Sequence, residues 1–391
     1  MSRYLTLFSV VVLTVLAATT GVAWLVDPYA YWNTPVIDGV NRYRPASGKH
    51  LLQVKLRQYE RLQPTVLVAG NSRVDIGINP ASAAWPDGTQ PVYNLGLPGY
   101  GTEAVVDSID AALRAHRPAR IFIGLDFLDF RIDRERRREK PSRESTNEPK
   151  IGQQLKLTIK LLVSLDALKD SAAGLAEQYK RYPADITPQG YNGLEVYNAI
   201  VAAEGHAALF EQRNVENMKS YLTRSKNVRL DNGATHPAFA ALAGLAERAR
   251  QQEVELVLFT YPYHADLLMS FELAGLWPAY EDWVNDLAAF SARIGLRTHF
   301  LTRIDEMTTE AVPEKGDNKT KMQWYWEGGH FKSSLGDKII ASITASTDST
   351  VLTEENAGDY LAGLKANLAR YRNENPAGAE RIAAAYKRAI R

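Results

Sequence analysis

The residues best suited to covalent chemistry are a serine, a histidine and a glutamate, far apart in the chain. Ser72 stands in Gly70-Asn71-Ser72-Arg73, directly after the apolar run Val66, Leu67, Val68, Ala69. A β-branched run that ends in a glycine reads as a buried strand leaving its sheet at a tight turn, with the serine on the tip. Ligands of an open α/β sheet bind at the carboxyl ends of its strands. The hydroxyl is therefore placed either to meet a cleft or simply to finish a polar turn. His330 follows Glu327 in Trp324-Tyr325-Trp326-Glu327-Gly328-Gly329-His330-Phe331, just ahead of an apolar helical pattern through Leu335, Ile339, Ile340 and Ile343. A carboxylate can hold one ring nitrogen and stabilise an imidazolium while the other nitrogen takes a hydroxyl proton. A loop histidine beside an incidental acid is the plainer alternative. The same spacing is poor for a metal, because a helical His-Glu-x-x-His run is absent.

The elements that must position these residues read as alternating strand and helix. Pro91 to Asn94 forms a short strand entering the loop Leu95-Gly96-Leu97-Pro98-Gly99-Tyr100-Gly101-Thr102. Thr102 and Glu103 are expected to cap the helix carrying Val105, Val106, Ile109, Ala112 and Leu113. A glycine-rich loop opening a helix could also cradle phosphate, but its spacing fits neither the dinucleotide fingerprint nor the Walker loop. Further strands are expected at Arg120 to Leu125, Val254 to Thr260 and Leu296 to Leu301, with helices before and after the strand at Val254. This rhythm argues for a parallel sheet with right-handed crossovers. Gly48 to Gln63 reads as an amphipathic spacer helix. Asn71, Arg73, Asn94, Asp126 and His264 stand at or near strand ends and are the candidates for substrate contact. Trp324, Tyr325 and Trp326 could stack on sugar rings or pack in the core.

Composition narrows the setting. The 391 residues carry 46 basic and 45 acidic side chains, a net charge of +1, so the overall balance implies no nucleic acid. Without cysteine there are no disulfides, thiolates or cysteine-based zinc sites. Leu5 to Val26 is uncharged and apolar or small, preceded by Arg3 and followed by Asp27. About twenty such residues suit a bilayer-spanning helix. The basic residue ahead of it favours an N-terminus in the cytoplasm and export of the rest. Trp24 and Leu25 continue the apolar run past the small residues at which a signal peptide would be cut, which favours an uncleaved anchor. Trp24, Tyr29, Tyr31 and Trp32 read as an interfacial aromatic belt.

Six segments follow: an anchor (1–26), a juxtamembrane spacer (27–63), a first α/β part (64–130), a mainly helical insertion (131–235), a second α/β part (236–345) and a charged, peripheral helical tail (346–391). Within the insertion, the tract from Tyr179 to Tyr197 is placed to cover the sheet's edge or mouth. The run Arg131, Arg134, Arg136, Arg137, Arg138, Lys140 and Arg143 is either a solvated segment or a basic lip over the cleft.

Taken together, strand–Gly-x-Ser, strand–Asn-x-Gly-x-x-Gly and carboxylate-x-x-His before the last sheet-associated helix resemble the blocks of the SGNH (GDSL-type) hydrolase superfamily. The anchor makes the chain similar to its branch that O-acylates polysaccharides and teichoic acids, the proteins akin to alginate O-acetylation factors. The resemblance covers roughly residues 65–129 and 253–345. It implies a three-layer, flavodoxin-like α/β fold with Ser72 as nucleophile, His330 as general base, Glu327 as its partner, and backbone donors from Ser72 and Gly99 in the oxyanion hole. It further implies an acyltransferase or esterase without cofactor, facing the periplasm from the inner membrane, acting on an acylated glycan. A transferase would need a multi-spanning membrane partner to pass acyl groups across the bilayer. The chain departs from the family in having glutamate for the usual aspartate. It also has Gly124-Leu125-Asp126-Phe127-Leu128-Asp129 where the family has Gly-x-Asn-Asp. Loss of that donor would cost roughly 2.7–4 kcal/mol in the transition state, which leaves open an inactive, glycan-binding scaffold.

Overall fold

The computed structural model describes residues 2–132, 151–345 and 347–391. The chain opens with α1 (Ser2–Val26). Within Arg3–Val26 a stretch of 18 residues has a mean hydropathy of 2.1 with none of it buried, so this helix is long and apolar enough to cross a membrane. Only Ala23 and Val26 near its end are buried. Asp27 ends it, accepting the backbone N–H groups of Tyr31 and Trp32 and pairing with Arg44 at 3.2 Å. A 3-10 turn (Pro45–His50) leads into α2 (Leu51–Leu62), which Gln63 closes in a left-handed conformation (φ 48°).

Then comes the α/β unit: β1 (Val66–Gly70), α3 (Ser72–Gly77), β2 (Val92–Gly96), α4 (Thr102–Ala115) and β3 (Arg120–Leu125). The insertion supplies α5 (Ile151–Val163), α6 (Leu165–Glu177), α7 (Glu195–Glu204) and α8 (His206–Thr223). The unit resumes with α9 (Pro237–Gln251), β4 (Glu255–Thr260), α10 (Ala265–Leu273), α11 (Trp277–Ile294) and β5 (Arg297–His299). A two-stranded antiparallel hairpin, β6 (Tyr325–Glu327) and β7 (His330–Phe331), precedes α12 (Ser333–Thr344), α13 (Glu354–Glu374) and α14 (Pro376–Ala389).

The five-stranded sheet is wholly parallel, in the order β2-β1-β3-β4-β5. Its central strands are buried on both faces, which is why β1 reads as a continuous apolar run rather than an alternating one. The order reverses direction after β2. With right-handed crossovers, α4, α9 and α11 therefore share one face while α3 lies on the other. Gly336 of α12 packs so closely on α3 that a Cβ there would meet the Gly77 carbonyl oxygen at 1.9 Å.

Several expectations change. The fifth strand is shorter than Leu296 to Leu301. Gly101, not Thr102, is the N-cap of α4, and the cap has no side-chain bond. Of the basic run, Arg134 to Arg143 lie outside the described residues, while Arg131 is buried and donates to the Ser225 carbonyl at 2.7 Å. The aromatic and polar tract of the insertion does cover an edge: Asn94 of β2 donates its backbone N–H to the Gln189 carbonyl at 2.9 Å.

The tail is not peripheral. Leu361, Leu364, Leu368 and Ile382 are buried in the main core, and Arg381 grips Asp266 through two hydrogen bonds of 2.8 and 3.0 Å. Asp266 is fully buried, so removing the guanidinium takes away both of its strong hydrogen bonds and leaves only the longer one from Asn214 Nδ2 at 3.4 Å. Arg381→Met is expected to destabilise the chain by about 3 kcal/mol in urea unfolding of the full-length protein. A change below about 0.5 kcal/mol would match an ordinary surface position and contradict this docking.

Candidate active site

Ser72 is the first residue of α3, reached from β1 through a single cap residue. Asn71 takes an extended conformation and its side-chain oxygen accepts the Arg73 backbone N–H at 3.0 Å. This turns the chain at once from strand to helix and leaves Ser72 half-buried at the sheet's carboxyl edge. The next strand brings its loop to the same place, since Leu97 donates to the Gly70 carbonyl at 2.8 Å. Gly99 sits on that loop with φ +78°, exposed, and with open space where a side chain would project.

The hairpin delivers the base. Glu327 and His330 are paired across β6 and β7, and Gly328-Gly329 make the two-residue turn between them, so both side chains fall on the same side. The hairpin is tied down by Tyr325 Oη donating to the Pro262 carbonyl (2.8 Å) and by Lys332 N–H donating to Trp324 (2.7 Å). His330 Nδ1 makes a close contact with Glu327 Oε1, and Nε2 lies 2.8 Å from Ser72 Oγ. Glu327 can only accept when ionised, so Nδ1 carries the proton and Nε2 is left to accept from the serine hydroxyl.

Glu327 is almost fully buried. Burial alone would raise its carboxyl. Its pairing with His330, the hydrogen bond from Gly329 N–H (2.8 Å) and the charge of Arg213 overcome this and hold it below the usual carboxylate range.

Beneath the serine lies a polar cluster with almost no access to solvent. Asp126 accepts from Asn71 Nδ2 (2.9 Å), from Tyr263 Oη (2.7 Å) and from the Leu128 N–H (3.1 Å), and pairs with Arg73. The Arg73 guanidinium stands over the rings of Tyr263 (5.2 Å) and Tyr261 (5.6 Å). Burial opposes its charge, but Asp126 and the tyrosines more than offset that, so it stays protonated. A second buried pair lies along α3: Lys55 Nζ donates to Asp75 Oδ1 and to the Gly96 carbonyl, both at 2.6 Å. Burial pushes Asp75 up and Lys55 down, each opposed by the partner's charge.

Ser72, His330 and Glu327 are thus brought into one hydrogen-bonded chain, and Gly99 into the adjoining loop. The expected substrate contacts fare differently. Asn94 is fully buried, donating to the carbonyls of Val74 and Ile78 (2.7 Å each) and accepting from Gly96 N–H, so it staples α3 to β2. His264 is also fully buried: Nδ1 caps α10 by accepting from Asp266 N–H, and Nε2 donates to the Glu310 carbonyl at 2.9 Å. Its contribution to the site is made by its backbone N–H, which donates to Gly328 at 3.3 Å. Asn71, Arg73 and Asp126 are committed to one another, and of the aromatic cluster Tyr325 and Trp326 are buried. Lys55, missed from sequence, did leave a signal: it lies at helical spacing between Leu51 and Tyr59, a charge on the apolar stripe.

A comparison with known protein families finds no family model that matches this chain, and a comparison with curated proteins finds no match either.

The depressed Glu327 carboxyl has a definite sign in acid. Its contribution to stability is present above its unfolded value of about 4.5 and is lost as pH falls through the lower native value. Unfolding free energies of wild type and Glu327→Gln should therefore differ in favour of wild type at pH 5, and the difference should narrow progressively as pH falls below about 4.5. A difference that does not narrow would contradict the ionised, histidine-paired carboxylate.

Proposed function

We propose that the chain is a serine acyl-transfer enzyme of SGNH type, an O-acyltransferase or esterase acting on O-acyl groups of an extracytoplasmic polysaccharide. The observation that carries this reading is the unbroken chain from Ser72 Oγ through His330 to buried Glu327. The strand order, which is that of flavodoxin-like sheets, and the position of the serine at the carboxyl edge support it.

In this mechanism Ser72 Oγ attacks the acyl carbonyl as its proton passes to His330 Nε2, and Glu327 stabilises the imidazolium. The backbone N–H groups of Ser72 and Gly99 receive the oxyanion. The tetrahedral intermediate collapses, the C–O bond to the leaving alcohol breaks, and His330 returns the proton to that alcohol. Deacylation repeats the steps with a sugar hydroxyl, giving O-acylation, or with water, giving hydrolysis. Asp126 stands where the family has its asparagine donor and is acceptor-only when ionised. One donor fewer corresponds to about 100- to 1000-fold in rate, which fits a slow esterase or a transferase with a reactive donor. The anchor would hold the domain on the periplasmic side of the inner membrane, beside a multi-spanning partner if acyl groups are delivered across it.

Labelling of the full-length protein with a fluorophosphonate, alongside turnover of a chromogenic acetyl ester, tests the proposal. Ser72→Ala should abolish labelling and turnover, and His330→Ala should lower both by about 100-fold or more. Equal signals in wild type and Ser72→Ala would overturn the enzyme reading in favour of an inactive, glycan-binding scaffold.

A further inference from the structure

Away from Ser72, the base of the membrane anchor carries a cavity of about 200 Å³, lined by Tyr29, Lys49, His50, Lys160, Asp166 and Asp170. Tyr29 follows closely on the end of α1, so the cavity opens at the level where that helix leaves the bilayer. Its floor is organised. Asp170 is buried and accepts from Tyr29 Oη at 2.8 Å and from Lys49 Nζ at 2.5 Å, while the ring of His50 stands edge-on to Tyr29 at 5.3 Å. Lys160 and Asp166 stand exposed at its rim with opposite charges.

The surroundings are those of an interface with lipid. Helices α5 and α6 pack against the C-terminal half of α1, where Ala23, Leu161 and Ala167 share a small core and Gly174 lies against Val26. The same two helices expose Ile159 (51%), Val163 (42%) and Leu165 (75%), and the end of the anchor exposes Trp24 and Leu25. Lys156, Lys160 and Lys169 stand on the same two helices, as basic residues do where a helix pair lies in the headgroup layer.

We infer that this cavity binds the headgroup of a zwitterionic aminophospholipid, phosphatidylethanolamine in type, and seats the domain on the bilayer surface. The mixed lining decides the class. Lys160, with Lys49 and His50, meets the phosphate, and Asp166 accepts from the primary ammonium. A purely anionic headgroup would lack a partner for Asp166. A quaternary ammonium has no N–H to donate to it. The inference rests on α1 spanning the membrane and is independent of the chemistry at Ser72.

The test is native mass spectrometry of the full-length protein released from nanodiscs of equal parts phosphatidylethanolamine, phosphatidylglycerol and phosphatidylcholine. Phosphatidylethanolamine adducts should be enriched about five-fold over either other lipid, and Lys160→Glu or Asp166→Asn, both at exposed positions, should each remove that enrichment. Ser72→Ala should retain it. Adducts in the bulk ratio, enrichment of phosphatidylglycerol instead, or enrichment that survives both substitutions would overturn the inference.

Discussion

The candidate site depends on one buried carboxylate. Asp126, at the end of β3, gathers the side chains of Asn71, Arg73 and Tyr263 and so ties the β1–α3 turn to the neighbouring strands β3 and β4. An ionised carboxylate out of water is tolerable only with several donors and a partner charge. Asp126 has both, and the cost of dismantling the set fixes where Ser72 stands. Asn94 fixes the same short helix from the other side by holding its carbonyls. A six-residue helix has little stability of its own. Its geometry is imposed by these buried polar contacts and by the close approach of Gly96 and Gly336.

The same economy governs the base. Glu327 is desolvated, yet its charge is kept by contacts reaching it from His330, Gly329 and Arg213. A two-residue glycine turn lets the acid and the imidazole meet without a longer loop to order. The hairpin itself is held by backbone and side-chain bonds to the β4–α10 connection and to Glu310. The aromatic residues around it, Tyr325 and Trp326, spend their surface on packing rather than on a binding face.

How much of this was legible in the sequence follows from what each pattern encodes. The strands Val66–Gly70, Arg120–Leu125 and Glu255–Thr260 were plain because a doubly covered parallel strand must be apolar throughout. Ser72, Glu327 and His330 could be nominated because each stood at the end of such an element or just before a helix. The β6–β7 hairpin was not visible, since strands of two and three residues carry no periodicity. His264 misled because a histidine at a strand end reads alike whether its ring faces a cleft or caps the next helix. Asp126 misled for a related reason: a carboxylate at a strand end does not announce that its donors lie on other strands. In the tail, the spacing of Leu361, Leu364 and Leu368 marked a buried stripe, but the surrounding charges gave the segment a solvated look.

The central claim is that Glu327 holds His330 in the tautomer that presents a bare Nε2 to Ser72. The most direct measurement is the 15N spectrum of histidine-labelled full-length protein at pH 8, with His330 assigned by substitution. The account predicts a protonated Nδ1, an unprotonated Nε2 and a strongly downfield Nδ1 proton that disappears in Glu327→Gln. A proton residing on Nε2 in the wild type, or an Nδ1 signal indifferent to loss of the carboxylate, would contradict it.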